Sequence, residues 1–117
     1  MVASVSQLEI SVGAGLSGTL IALSGESDLT TTAELSEALA AQMTGGPRHM
    51  TVDLSGLSFA DTATIRILLS THRTLGAIGG NLELMNPHPN VARSLTLLGV
   101  DKILSIRSAA QARCTDG

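Results

Sequence analysis

Short aliphatic runs alternate with stretches of helical period along the whole chain, and that alternation limits the folds open to it. Residues 8–12 alternate apolar and polar side chains and predict a strand. Residues 18–23 are a second such run, joined to the first through a glycine-rich turn at 12–17, so the two form a hairpin. Gly25-Glu26-Ser27-Asp28 reads as a polar loop. A helix is predicted over 33–43, with Leu35, Leu39 and Met43 on one stripe and Thr31 with Glu34 at capping-box spacing. Residues 50–54 predict a strand that enters a loop at Ser55-Gly56. A second helix over 62–75 places Ile65, Leu68, Leu69, His72 and Leu75 on one face, and Gly76, Gly79 and Gly80 close it. A strand over 81–85, a helix over 90–98 with Val91, Leu95 and Leu98 on one side, a stop at Gly99 and a strand over 103–106 complete the pattern. Residues 109–113 suit a final helical turn. The order ββαβαβαβ implies crossover connections and a sheet that is parallel in part.

At 117 residues the chain is long enough for one domain, residues 1–117, with a core over about 8–107 and a frayed tail over about 114–117. Size scaling buries about two thirds of the unfolded surface. With one Phe and no Tyr or Trp, the core must be aliphatic. The same scarcity argues against a platform for stacking bases. Seven basic against ten acidic residues argue against a phosphate-backbone binder, so no direct nucleic-acid partner is expected. The lone cysteine, Cys114, excludes an internal disulfide and a cysteine-rich zinc site. The first ten residues lack a secretory signal, and no apolar run approaches the ~20 residues of a membrane span. A cytoplasmic protein without membrane insertion is the expectation.

Few motifs survive scrutiny. Gly13-x-Gly15-x-x-Gly18 matches a dinucleotide fingerprint by letter, but a strand-like run follows it where a helix should open, so it reads as a hairpin turn. His49, His72 and His88 are far apart in sequence, and His72 reads as a packed, hydrogen-bonded histidine at the edge of the core. No nucleophile elbow, P-loop or His-Glu-x-x-His is present. Asp28, Asp53 and Asp61 each sit at a strand end or in a loop, and their convergence would make a metal or nucleotide site; no motif supports one, and helix capping with loop hydrogen bonding is the preferred reading. Asp61 is a natural N-cap, and Thr62 falls in the first turn of the helix after it.

Four segments, taken in order, resemble the STAS domain family, and within it the bacterial anti-sigma factor antagonists. Gly25-Glu26-Ser27-Asp28 resembles that family's Gly-Glu-Leu-Asp loop. The run from Val52-Asp53-Leu54-Ser55 through Phe59-Ala60-Asp61 resembles its Asp-Leu-Ser-x-Val-x-Phe-x-Asp stretch. Gly79-Gly80, the strand at 81–85 and Asn86-Pro87 resemble Gly-Gly-x-Leu-x-Leu-x-Asn-Pro, and residues 91–102 resemble the last helix with its Gly-Leu-x-Lys ending. The resemblance covers residues 8–106 or so. It implies an α/β fold, with a small mixed sheet of about five strands and helices packed largely on one side.

The resemblance also implies a partner switch without catalysis by this chain, and with neither cofactor nor metal. An unphosphorylated antagonist binds an anti-sigma factor that is also a serine/threonine kinase, and so frees a sigma factor for transcription. Phosphorylation by that kinase ends the binding, and a phosphatase restores it. The family's phosphoacceptor follows the Asp of an Asp-Ser-Ser-Gly-Leu motif. Here Asp61 aligns with that Asp and Thr62 with the acceptor; Thr64 is the second choice. Asp61, Ala63, Thr64, Gly25, Glu26 and Asp28 are the expected docking residues. Ala63 stands where the family has a second Ser, and Thr64 where it has Gly, so a branched side chain is expected to face the partner. Ser27 replaces an apolar residue, a minor change on this reading. An alternative is a constitutive, unphosphorylated scaffold or a subunit of a larger complex, for example one that transports lipids.

Overall fold

The computed structural model describes residues 7–14, 18–44 and 49–107. Five strands, β1 (Leu8–Ala14), β2 (Gly18–Ser27), β3 (His49–Ala60), β4 (Asn81–Met85) and β5 (Ser105–Arg107), lie in that order across one sheet. β1 is antiparallel to β2, and every later pair is parallel. Three helices make the parallel connections: α1 (Thr32–Met43), α2 (Thr62–Ala77) and α3 (Pro89–Leu97). The mixed α/β sheet expected from the sequence is what forms.

Strand alternation decides which face is covered. Ile21, Val52 and Leu84 stand side by side in register and are fully buried. Their neighbours Ala22, Asp53 and Met85 form the next row, on the opposite face, and are only half-buried. Leu35 and Leu39 of α1, Ile65, Leu68 and Leu75 of α2, and Val91 and Leu95 of α3 join the covered row in one aliphatic cluster. All three helices therefore cover the same face of the sheet.

Several boundaries differ from the sequence reading, for local reasons. β2 does not end at Leu23: it runs on through Gly25, Glu26 and Ser27, pairing with β3 past two register shifts. Gly25 permits this with a φ of 96°, and a side chain there would collide with the Gln7 carbonyl oxygen. The Glu26 N–H donates to that same carbonyl at 2.8 Å. β3 likewise passes through Ser55-Gly56 to Ala60. α1 is preceded by a single 3₁₀ turn, Leu29–Thr31, which moves the capping box from Thr31 and Glu34 to Asp28 and Thr31. α3 starts at Pro89, whose missing N–H costs nothing in a first turn, and ends at Leu97, so Leu98 is exposed rather than part of the buried side. Gly99 stops α3 in the left-handed region, as expected. Ile103 closes a second 3₁₀ turn, Val100–Lys102, which delays β5 to Ser105. His72 is only half-buried, and its buried Nδ1 has no hydrogen-bond partner among the described residues, in contrast to the bonded histidine expected. Residues 15–17, 109–113 and Cys114 lie outside the described residues.

Candidate functional site

The site is built where β2 and β3 end and α2 begins. The Asp61 N–H donates to the Ser27 carbonyl at 3.2 Å, which ties the start of α2 to the end of β2. Asp61 is the N-cap: its Oδ1 accepts from the Thr64 N–H at 3.0 Å and from the Thr64 hydroxyl at 3.2 Å. Beneath it lies a chain of hydroxyls. Ser27 Oγ is 2.7 Å from Thr64 Oγ1 and 3.2 Å from Thr31 Oγ1. Thr31 Oγ1 accepts from the Asp28 N–H at 3.0 Å. Ser27 and Thr64 are both 0% exposed. Buried hydroxyls persist only when bonded, and here each satisfies the other.

Two expectations change at this point. The Thr64 side chain does not project from the surface: it is buried, and its hydroxyl is bonded to Asp61 and Ser27. Ser27 is not a minor replacement, because its buried hydroxyl is bonded to that of Thr64.

Thr62, the first residue of α2, is exposed, and its hydroxyl makes no hydrogen bond among the described residues. It borders a groove between α2 and α3, walled by Phe59, Ile65, Leu97 and Leu98, with Asp61 and Ser94 on its rim. Phe59, Leu97 and Leu98 are 47%, 78% and 49% exposed, a cluster of apolar surface beside one polar hydroxyl. The sequence reading missed this groove. Helical spacing assigned Leu98 to the core, and nothing marked Phe59 as an outward residue of a strand.

The other residues expected to dock a partner fall near the same ends of β2, β3 and α2. Ala63 is half-buried in a second, shallower groove toward α1, lined also by Leu29, Ala33, Arg66 and Ile67. Glu26 is exposed and pairs with Phe59 across the β2–β3 ladder. The Gly25 carbonyl accepts from the Ser58 hydroxyl at 3.1 Å, so Gly25 is held in the framework. Asp28 caps the 3₁₀ turn. The Thr30 hydroxyl, then the Thr30 N–H, hold its carboxyl below the ordinary value; desolvation opposes them and the Thr31 N–H adds a little. Asp53 stays apart: it lies in the half-buried row of the uncovered face, and its carboxylate accepts from the Ser55 N–H at 3.0 Å. Among the described residues no three His, Cys, Asp or Glu side chains are grouped to hold a metal. No helix among them is long and apolar enough to cross a membrane.

This arrangement of sheet and helices has counterparts among known proteins. The family model described as "Mlab, STAS domain" matches residues 10–106, and the chain belongs to the STAS domain family. Its fold is shared with an anti-sigma factor antagonist from Mycobacterium paratuberculosis, at 26% identity and a TM-score of 0.78 over 86% of this chain and 85% of the other. The anti-sigma factor antagonist SpoIIAA in its unphosphorylated form matches at 21% identity and a TM-score of 0.75, over 92% and 94% of the two chains. The Bacillus cell fate determinant SpoIIAA in its phosphorylated form matches at 20% identity and a TM-score of 0.69, over 92% and 97%. No curated protein sequence is significantly similar to the chain.

Proposed function

We propose that this chain is a cytoplasmic anti-sigma factor antagonist, a binding protein that works by partner switching. Unmodified, it docks on an anti-sigma factor kinase through the apolar groove beside Thr62 and so releases a sigma factor. Phosphorylation of Thr62 ends the docking, and a phosphatase restores it. The Thr62 oxygen attacks the γ-phosphorus of ATP held by the kinase, the bond to ADP breaks, and the hydroxyl proton passes to a base on the kinase. The observation that carries this reading is the contrast within one turn: the Thr62 hydroxyl is exposed on the groove rim, while the Thr64 hydroxyl is buried and bonded. Ala63 has no hydroxyl, so Thr62 is the acceptor the motif offers. Phosphate adds about −1.5 to −2 charges there. That charge on an apolar docking rim must be desolvated if the partner is to remain, and a hundredfold weakening needs only about 2.8 kcal/mol. A neighbour of the same fold has been solved in a phosphorylated form, which supports the same chemistry here.

The test is phosphate mapping by mass spectrometry on the protein from its native cells, beside Thr62→Ala. Phosphate on Thr62 that varies with growth condition, and its loss in the variant, is the expected result. Phosphate retained in Thr62→Ala would overturn the assignment. A second reading has an observation of its own: the matching family model is described by the name Mlab, not as an antagonist. On that reading the chain is a constitutive subunit of a larger complex, and no phosphate appears in any condition.

A further inference from the structure

α2 presents a crest between two grooves. At 3.6 residues per turn, Thr62 and Arg66 stand about 40° apart around the helix and one turn apart along it. Ile65 falls on one side of them and Ala63 with Ile67 on the other. The grooves agree with this arithmetic. Thr62 and Ile65 line the groove toward α3, and Ala63, Arg66 and Ile67 line the groove toward α1. Thr62 and Arg66 are both exposed, whereas Ile65 is buried and Ala63 and Ile67 are half-buried. Arg66 makes no ion pair and no hydrogen bond through its guanidinium among the described residues. The nearest carboxylate in sequence, Asp61, has its Oδ1 engaged by Thr64.

We propose that Arg66 is the internal counter-charge of the switch: when Thr62 carries phosphate, the Arg66 guanidinium pairs with it across one helical turn. The proposal rests on the Thr62 reading above and adds its regulation. Side chains at i and i+4 have Cβ atoms about 5–6 Å apart, within reach of a long arginine and a phosphate. A guanidinium fork meets phosphate oxygens with two parallel hydrogen bonds. The pair holds the added charge on the crest without unwinding the first turn. It also draws Arg66 away from the groove toward α1, so one modification alters the surface on both sides of α2.

The test uses the full chain with phosphothreonine built in at position 62 during synthesis, so it does not depend on whether a kinase modifies Thr62 in the cell. The phosphate is titrated by ³¹P NMR in the parent, in Arg66→Gln and in Arg73→Gln, an exposed cation farther along the same helix. At low salt the parent and Arg73→Gln titrate together, and Arg66→Gln titrates higher by about 0.3 of a pH unit, the size of an i, i+4 ion pair. The gap closes in 1 M salt. Equal midpoints for the parent and Arg66→Gln at low salt would overturn the pairing. So would a shift in Arg73→Gln as large as that in Arg66→Gln, since general net charge would then explain both. Failure of the Thr62 assignment itself shows separately, in the phosphate map of the native protein.

Discussion

α2 is held at its two ends by different forces. From Leu68 to Leu75 it packs over β4, and those leucines share one buried cluster with Leu82 and Leu84. Its first turn buries Ile65 in the same cluster but is held by oxygen atoms as well: Asp61 on the Thr64 amide, Ser27 on the Thr64 hydroxyl, and Thr31 on Ser27. Aliphatic burial is non-directional and scales with area, so the first region fixes where the helix lies. Hydroxyl bonds need partners at set distances, so the second region fixes how the first turn is presented. On the hydroxyl-held end, Thr62 stays exposed at the start of the helix while hydrogen bonds from Asp61 and Ser27 hold the turn around it in place.

The comparison breaks most visibly in the aliphatic region. Leu84→Ala, at a fully buried position, is expected to lower unfolding free energy by about 2–5 kcal/mol in urea titrations. At the polar end, Thr64→Val keeps the shape and removes the hydroxyl, and costs about 1–3 kcal/mol. Ser27→Ala is expected to cost a similar amount, and the double variant less than the sum, because each single change already removes the bond the two hydroxyls share. Strict additivity in that double-mutant cycle would show that the two hydroxyls do not support each other. Asp61→Ala, which removes the N-cap, costs about 1 kcal/mol, with Asp61→Asn nearer the parent.

Smaller still is a pH effect at Asp28. Its carboxyl is depressed in the folded chain below the ordinary value of 3.8, so it adds stability above that pH and loses it as pH falls through the lower folded value. Urea midpoints of the parent and Asp28→Asn should therefore converge on going from pH 6 to pH 3. Least of all, Thr62→Ala should change stability by no more than about 0.5 kcal/mol, since its exposed hydroxyl bonds to nothing described.

The strand–helix order was legible because each element carries its own period, and the five-strand mixed sheet followed from it. The ends of β2 and β3 were not. Gly25 and Gly56 look like loop residues, yet they sit in a ladder that passes over them with register shifts. Thr62 and its cap at Asp61 were legible, because capping is a local matter of one turn. The Ser27–Thr64 bond was not, since it joins residues 37 apart in the chain. The only sign of it was two departures from the family's pattern at once, each of which looked independent. The groove beside Thr62 was hidden for a similar reason: Leu98 fits the apolar stripe of α3, and only the helix end at Leu97 turns it outward.

The central claim is that the exposed hydroxyl at this polar end gates a docking surface. The most direct test measures, by calorimetry, the affinity of the anti-sigma factor kinase from the same cell for the unmodified chain and for the chain carrying phosphothreonine at position 62. The account predicts micromolar or tighter binding of the unmodified form and at least a roughly hundredfold loss on phosphorylation. Equal affinities for the two forms would contradict it and leave a constitutive binding module in its place.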